Sequence, residues 1–389
     1  MDLRAHFSRF IAAAPGRIHL AAHSHHYWPD VTFEAQMRCW QDAARLADGK
    51  WGNVFGEIVP QAQGHIARLL NLPAPETIAF APNTHEFVRR LLSCFPPDRR
   101  LRVLTSDGEF HSFARQMRRL EEDGMVQVDR IAWQPFASFP ERFADAANAG
   151  GHDLVFVSQV AFDSGAGIAD LDGLVAAVPH EAVVVIDGYH GFLACPTDLS
   201  AIASRAFYMA GGYKYAMAGE GACFLHVPPD ICPRPRDTGW FASFASLEAG
   251  EARLAYGADG SRFLGATFDP SGLYRMVAVF DWLADLGIGA AEIHAHVLDL
   301  QGALVGELDR RGVGALAADK LLVPLDAPGR GNFLTYATPD AAAMHQRLHE
   351  AGIVTDLRGD RLRLGLGLYH AEAEMPDVAA RIAVALGQS

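Results

Sequence analysis

Lysine is the scarcest charged residue in this sequence of 389 residues. It occurs three times, whereas arginine supplies the other thirty of the 33 basic side chains. Only Lys214, in GGYKYAMAGEG, lies between glycine clusters that let a flat ligand approach the backbone closely. A primary amine can lose its proton and form an imine with an aldehyde, whereas a guanidinium cannot. Lys214 is therefore the first candidate for catalysis.

The sequence also lacks a basic surface. Its formal net charge is −13, and no run of lysine and arginine is long enough for the concentrated basic face that nucleic-acid phosphates require. We therefore expect no nucleic-acid partner and a small molecule as the ligand.

Cysteines are few and form no recognisable binding pattern. There are five, an odd number, and no two of them form a CxxC pair. This usage indicates a reducing cytoplasm and gives no sign of a zinc site. No stretch of about 18 apolar residues occurs, and the first apolar run is too short for a signal peptide. We therefore expect neither export nor a membrane span.

Short apolar runs alternate with amphipathic segments along the first part of the chain. The runs are TIAFA, LRVLTS, HDLVFVSQV, AVVVIDG, AFYMA and ACFLHV. This alternation predicts an α/β protein with a mostly parallel sheet covered by helices on both faces. We expect a large domain over 16–285 and a smaller α/β domain over 286–389 together with 1–15. Ligands of such sheets bind beyond the carboxyl ends of the strands.

Asp187 and His190 follow the most apolar of these runs, shortly before Lys214. A carboxylate at the end of a buried strand is costly unless it meets a partner, and the N–H of a protonated pyridine ring is such a partner. An aspartate in that position preserves the ring as an electron sink. His190 is placed to donate to a phenolic oxygen of the same ring. The alternative is a capping aspartate with a structural histidine.

The segment TIAFAPNTHEF predicts a strand, a tight turn and a helix. Asn83 and Glu86 have the spacing of a capping box, and the free N–H groups of a helix start can bind phosphate. Asn83, Thr84 and His85 are therefore candidate cofactor ligands, although a simple helix cap has the same pattern. After the run LRVLTS, Phe110 or His111 is placed to stack on a flat ring, unless this aromatic side chain belongs to the core.

These motifs together resemble those of the class V enzymes that depend on pyridoxal 5′-phosphate (PLP), the kynureninases in particular. IDGYH and GGYKYAMAGEGACFL are similar to the family's Asp-x-x-His and Gly-Tyr-Lys-Tyr blocks. The resemblance covers almost the whole chain and implies the type I PLP-dependent transferase fold. It implies that Lys214 holds PLP as a Schiff base, that Asp187 pairs with the ring nitrogen and that His190 lies near the ring oxygen. It also implies that Tyr213 contacts the phosphate.

Shorter motifs extend the resemblance to four more residues. Thr84 matches the phosphate-loop threonine, and Phe110 matches the residue that stacks on the ring. In GWFASF, Trp240 resembles a neighbour of the substrate or phosphate. In FLGATFDPSGL, Thr267 resembles a threonine that reaches the phosphate in the partner subunit. A homodimer with sites at its interface follows from the resemblance alone.

Two arginines, Arg361 and Arg363, lie in DRLRLGLGLYHA, whose alternation predicts a strand. Arginine is the natural bidentate partner of an amino-acid carboxylate, although a solvated arginine on a strand is the alternative. The run resembles the family's C-terminal strand, whose arginine holds the substrate carboxylate. That resemblance assigns the role to Arg363.

The N-terminal segment HLAAHSHHYWPD departs from the family pattern. Kynureninases have an Asn-Ser motif there, and only Ser24 matches it. Ser24, His25 and Trp28 are the candidate substrate contacts, and the histidines form either a pocket wall or a packed polar cluster. Because of this departure, the sequence does not identify the substrate.

The expected reaction acts on an amino acid. Lys214 removes the α-proton and the side chain is cleaved, as in the kynureninase-like attack of water on a γ-carbonyl. A class V aminotransferase would use the same residues and is the alternative. Sulfur transfer of the desulfurase kind needs a nucleophilic cysteine late in the chain, and none follows Cys232.

Two other classes of protein compete with this interpretation. A metal-dependent hydrolase would use the cluster His23, His25 and His26 as ligands, but its barrel would need eight evenly spaced strand-helix units. We expect no metal. A catalytically silent binding protein is disfavoured because the lysine is present.

Overall fold

The computed structural model describes residues 1–246 and 254–388. In these ranges the strands are β1 Ile18–His19, β2 Ile78–Ala81, β3 Leu101–Ser106, β4 Val126–Ile131, β5 Leu154–Ser158, β6 Val183–Asp187, β7 Ala206–Gly211, β8 Cys223–His226, β9 Leu334–Ala337, β10 Ile353–Val354, β11 Asp356–Arg358 and β12 Arg361–Leu364. The α-helices are α1 Ser8–Ala13, α2 Val31–Leu46, α3 Lys50–Asn53, α4 Val59–Leu69, α5 Thr84–Leu92, α6 His111–Glu122, α7 Phe139–Asn148, α8 Leu171–Ala176, α9 Ser271–Asp285, α10 Ala290–Arg310, α11 Ala341–Glu350 and α12 Met375–Ala385.

A seven-stranded sheet forms the centre of the molecule, in the order β2-β8-β7-β6-β5-β3-β4. All neighbours from β7 to β4 run parallel, and β8 is antiparallel to both β2 and β7. The predicted α/β fold with a mostly parallel sheet is therefore confirmed. The six predicted strands are present as β2, β3, β5, β6, β7 and β8.

Strand β4 was not predicted from the sequence. It is an edge strand of the sheet, and only Val126 of its six residues is buried. A strand that is paired on one side and largely accessible to water needs no continuous apolar run, so the pattern that revealed its neighbours is missing.

Both faces of the central sheet are buried. Along β6, Val184 and Ile186 pack into one apolar cluster, whereas Val185 packs into a second cluster on the other face. Phe156 of β5 stacks on Phe113 of α6, with 3.6 Å between the ring centroids. This two-sided burial explains the continuous apolar runs, and it fixes the strand ends where the functional residues lie.

The C-terminal part carries a separate small sheet, in the order β11-β12-β9, in which neighbouring strands are antiparallel. Strand β1 pairs with β10, so the N-terminal residues pack with this part of the chain. The expected division at 285/286 falls between α9 and α10. The domain boundaries themselves stay a prediction. In the ranges that the structure describes, no helix has the length and apolarity needed to cross a membrane.

Candidate active site

Lys214 lies three residues after the end of β7 and is 5% exposed. Its Nζ is 4.7 Å from the ring centroid of Tyr189 and 5.7 Å from the rings of Phe110 and Tyr213. Gly211 has no room for a side chain, because a Cβ there would lie 2.2 Å from Tyr189 Oη. The glycine therefore lets the chain turn tightly behind the tyrosine and carry the lysine into a buried site.

The environment of Lys214 favours its neutral amine. Burial lowers the pKa of Lys214 from its ordinary 10.5 to about 7, although the negative charge of Asp187 opposes the shift. The positive charge of Arg363 lowers the pKa further. In the described ranges Nζ has no hydrogen-bond partner or carboxylate within ion-pair distance. At this pKa a substantial fraction of the amine is unprotonated at neutral pH, and the unprotonated form is the nucleophile toward an aldehyde.

Asp187 ends β6 beside this lysine. Its Oδ1 accepts a hydrogen bond from the backbone N–H of Tyr189 at 2.9 Å. Burial raises the pKa of Asp187, while that N–H and the charge of Lys214 oppose the increase. Among the described residues Oδ2 has no hydrogen-bond partner, so this oxygen is available to a ligand that carries an N–H.

A cavity surrounds these two groups. It brings together six of the residues expected in the cofactor site, which are Thr84, Phe110, Asp187, His190, Tyr213 and Lys214. Four residues that the sequence analysis did not single out complete its lining: Ser158, Val160, Phe162 and Tyr189. Ser158 lies near the end of the predicted run HDLVFVSQV and ends β5, so the rule that ligands bind beyond strand ends could have found it.

His190 is buried and neutral at the cavity wall. Burial, assisted by the charge of Lys214, lowers the pKa of His190 well below its ordinary 6.5. Its ring centroid lies 5.4 Å from Phe333 and 6.4 Å from His23. A neutral imidazole keeps one N–H to donate and brings no positive charge into the cavity.

The start of α5 forms one end of the cavity. Asn83 caps the helix, because its side chain accepts a hydrogen bond from the Glu86 N–H at 3.1 Å. The Glu86 side chain pairs instead with Arg90, so the predicted capping box is only half formed. His85 Nδ1 is buried without a hydrogen-bond partner in the described chain. The free N–H groups of the first turn are suited to an anionic ligand, and Thr84 lines the cavity, whereas Asn83 and His85 do not.

Arg363 lies behind the cavity, 1% exposed. Its guanidinium donates to the Asp356 carboxylate and to the Phe162 carbonyl, and its Nε has no partner in the described residues. Arg361 pairs with Asp163 instead. The sequence analysis did not single out Asp356, whose position opposite Arg363 depends on the pairing of β11 with β12.

The three expected substrate contacts of the N-terminal segment lie in different places. The His25 ring stacks on Tyr213, with 5.0 Å between centroids, and Ser24 Oγ is 3.3 Å from His25 Nδ1. Trp28 lies in a separate apolar groove with Phe10. The structure thus brings Ser24 and His25 to the edge of the lysine cavity, but not Trp28.

Trp240 and Thr267 do not line the lysine cavity of this chain. Trp240 is 41% exposed and stacks on Phe241, with 4.3 Å between ring centroids. Thr267 is exposed in the stretch between Phe263 and α9.

The histidines of the N-terminal segment point in different directions. His23 is fully buried with its Nε2 3.6 Å from Asp356, and His25 is exposed. His26 Nδ1 lies 2.6 Å from the Tyr27 carbonyl. In the described ranges no group of three or more potential ligands is arranged to hold a metal ion. This arrangement gives no support to the metal-dependent hydrolase.

The strand order, the buried lysine after β7 and the carboxylate ending β6 define the type I fold of PLP-dependent enzymes. The chain belongs to the aminotransferase class-V family, whose family model matches residues 36–326. The predicted family is thereby confirmed, and with it the predicted cofactor, PLP.

Similar proteins of known identity include a kynureninase and several solved enzymes. The kynureninase of Deinococcus radiodurans is 28% identical over 244 residues, which cover 60% of this chain and 57% of that protein. The cystine C–S lyase C-DES has a TM-score of 0.79 at 17% identity, with 98% and 99% of the two chains covered. A cysteine desulfurase from Thermococcus onnurineus NA1 has a TM-score of 0.74 at 15% identity, with 94% and 93% covered. At these identities the two structures establish the fold.

Proposed function

We propose that this protein is a PLP-dependent enzyme that cleaves the side chain of an amino acid by hydrolysis, in the manner of a kynureninase. The observation that carries the proposal is the buried Lys214, whose pKa is lowered to about 7 mainly by burial, in one cavity with Asp187 and His190. No other lysine has this environment, since Lys320 is exposed beside Asp319 and Lys50 lies against Trp51.

The residues present fit each functional group of PLP. Lys214 offers a neutral amine to the aldehyde, and the unpartnered oxygen of Asp187 suits the ring nitrogen. The start of α5, where Thr84 lines the cavity, suits the phosphate. Phe110 supplies an aromatic face at the cavity wall. When bound, PLP supplies an electron sink for the carbanion at the substrate α-carbon.

The protein's own residues then have distinct tasks. Asp187 holds a proton at the ring nitrogen, and Lys214 accepts the α-proton of the substrate. Arg363 binds the substrate carboxylate through Nε and the donors that Asp356 and Phe162 leave free. In the proposed cleavage water adds to the γ-carbonyl carbon and the Cβ–Cγ bond breaks. The products are alanine and the carboxylic acid derived from the side chain.

Side-chain cleavage is preferred over transamination because of two sequence blocks. GWFASF and GGYKYAMAGEGACFL resemble the kynureninase motifs, and the kynureninase match at 28% identity agrees with them. Transamination would use the same lysine to return the proton to the cofactor. Its distinguishing product is the amine form of PLP.

The test starts with the absorbance spectrum of the purified protein, with and without borohydride. We expect a visible band that borohydride removes, and mass spectrometry should find the reduced cofactor on the peptide containing Lys214. The Lys214→Ala variant should fold but lose the band, whereas Lys320→Ala should keep it. A retained band in Lys214→Ala would contradict the assignment.

Substrates then separate the reactions. Release of anthranilate from kynurenine would support the kynureninase-like hydrolysis, because that acid is the side-chain product. Conversion of the bound cofactor to its amine form by simple amino acids would instead identify an aminotransferase. If a panel of amino acids produces neither change, both reactions are rejected, while the cofactor assignment stays in place.

A further inference from the structure

A second buried carboxyl group, Glu109, lies near Asp187. Glu109 is 4% exposed in the turn between β3 and α6. Burial raises the pKa of Glu109 from its ordinary 4.5 to about 7, and the charge of Asp187 adds to the increase, while hydrogen bonds from Ser106 and Ser158 oppose it. No basic side chain in the described ranges pairs with Glu109. The two carboxyl groups thus lie at the ends of β3 and β6, the two strands that flank β5 in the sheet.

Three donors surround the Glu109 carboxylate. Its Oε1 accepts from Ser106 Oγ at 2.5 Å and from the Ser158 N–H at 3.2 Å, and its Oε2 lies 2.6 Å from Ser158 Oγ. Ser106 Oγ itself accepts from Trp133 Nε1 at 2.9 Å and from the Gly108 N–H at 3.2 Å. The hydroxyl proton of Ser106 is therefore directed at Glu109, which fixes Oε1 as an acceptor.

Ser158 connects this carboxylate to the cavity. It is the last residue of β5, it stands opposite Asp187 in the register of β5 and β6, and it lines the lysine cavity. When Glu109 is ionised, the Ser158 hydroxyl proton points to Oε2 and its oxygen can only accept from the cavity. When Glu109 is protonated, Oε2 donates to Ser158 and the hydroxyl proton becomes free.

We propose that Glu109 is a positioning residue of the cofactor site, which orients the Ser158 hydroxyl and, through its negative charge, holds the proton shared by Asp187 and the ring nitrogen of PLP. This inference rests on the proposed pairing of Asp187 with that nitrogen. The physical reason is that a buried negative charge favours protonated forms of the groups near it, because the interior screens charge weakly. Glu109 needs no contact with substrate to exert this effect.

The test measures the pH at which the visible band of the bound cofactor is lost as its link to Lys214 gives up a proton. Glu109→Gln keeps the size of the side chain but removes the charge. We expect its midpoint to fall by about one pH unit, the scale of a nearby buried charge. Ser158→Ala removes one donor to Glu109 and should move the midpoint in the same direction by less.

Glu121→Gln is the matched control. Glu121 lies on α6 and pairs with Arg130 at the surface, so its variant should titrate like the parent protein. An unchanged midpoint in Glu109→Gln or in Ser158→Ala would overturn the inference. If Glu109→Gln does not fold, the Ser158→Ala midpoint alone decides.

Failure of the proposed function would give a result distinct from failure of the role of Glu109. In that case the unmodified protein would show no borohydride-sensitive band on Lys214. A band on Lys214 in every variant, with equal midpoints, would leave the PLP assignment standing and reject only the role of Glu109.

Discussion

Among single residues, Lys214 differs from Lys50 and Lys320 in its surroundings. Lys320 is exposed and pairs with Asp319, whereas Lys214 is enclosed by Tyr189, Phe110 and Tyr213. Enclosure removes water from the ammonium and so favours the amine. The scarcity of lysine in the sequence pointed to the residue, and its burial lowers its pKa.

Capture of PLP by the cofactor-free protein should depend on pH in the way that this environment dictates. Only the neutral amine attacks the aldehyde, so we expect the rate to rise with pH to a plateau, with a midpoint near the Lys214 pKa of about 7 that burial produces. Stopped-flow absorbance measures the rate. Asp187→Asn removes the charge that opposes the shift and should lower the midpoint further. If the rate keeps rising with pH up to 10.5, the ordinary pKa of lysine, that result would contradict the effect of burial.

Residues that touch the site only through a neighbour could not be predicted from their own sequence motifs. Glu109 and Asp356 stand in turns and short strands with no distinctive spacing. Glu109 meets Ser158, which is 49 positions away, only because β3 and β5 are neighbours in the sheet. Such partners are defined by strand order, which the local pattern does not encode.

At the scale of elements, α5 joins local stability to the proposed binding of the phosphate. Its first turn holds Asn83 as the cap and Thr84 at the cavity. The capping interaction fixes the direction of the free N–H groups, and these groups form the proposed phosphate site. One short segment therefore supports both the fold and the site.

Asn83→Ala should weaken both properties. Loss of the cap is expected to lower the free energy of unfolding by about 1 kcal/mol and to raise the dissociation constant of PLP, because the helix start frays. Urea unfolding and PLP titration measure the two effects. Asp170→Ala is the control, since Asp170 caps α8 through the Gly173 N–H at 2.8 Å away from the cavity. An equal loss of PLP affinity in the control variant would show that the effect is one of general stability.

At the scale of the whole molecule, the sequence predicts that Thr267 reaches the phosphate in the partner subunit and that Trp240 lies near the substrate or phosphate. Both are exposed and absent from the lining of the chain's own lysine cavity. On α2, Phe33, Met37 and Trp40 are also exposed, at a spacing that places them on one face of the helix. The homodimer, in which each subunit would complete the site of the other, stays a prediction.

Mixed dimers test this arrangement. Lys214→Ala and Thr267→Val should each lower activity as separate homodimers, the first completely. If Thr267 reaches the partner's phosphate, a hybrid of the two variants contains one site with both residues intact, so refolding them together should restore activity at one of two sites. Sedimentation equilibrium checks that dimers form. No recovery in a proven hybrid would place Thr267 at the site of its own chain.

The sequence by itself determined the family and the α/β class, and it singled out residues that the structure gathers in one cavity. Continuous apolar runs mark strands that are buried on both faces, and a functional side chain directly after such a run lies at the ligand-binding edge. Asp187, His190 and Lys214 could therefore be placed without coordinates. The edge strand β4 could not be predicted in this way, because a strand that is largely accessible to water has no continuous apolar run.

Only the tertiary structure decided which side chains meet. It separated Arg363, paired with Asp356 behind the cavity, from Arg361, which pairs with Asp163. It also showed that Trp28 lies in another groove, although the sequence places it four residues from Ser24. These outcomes depend on strand register and on packing between segments far apart in the chain. A local pattern fixes the face on which a residue lies, whereas its partner across the interior is fixed only when the chain has folded.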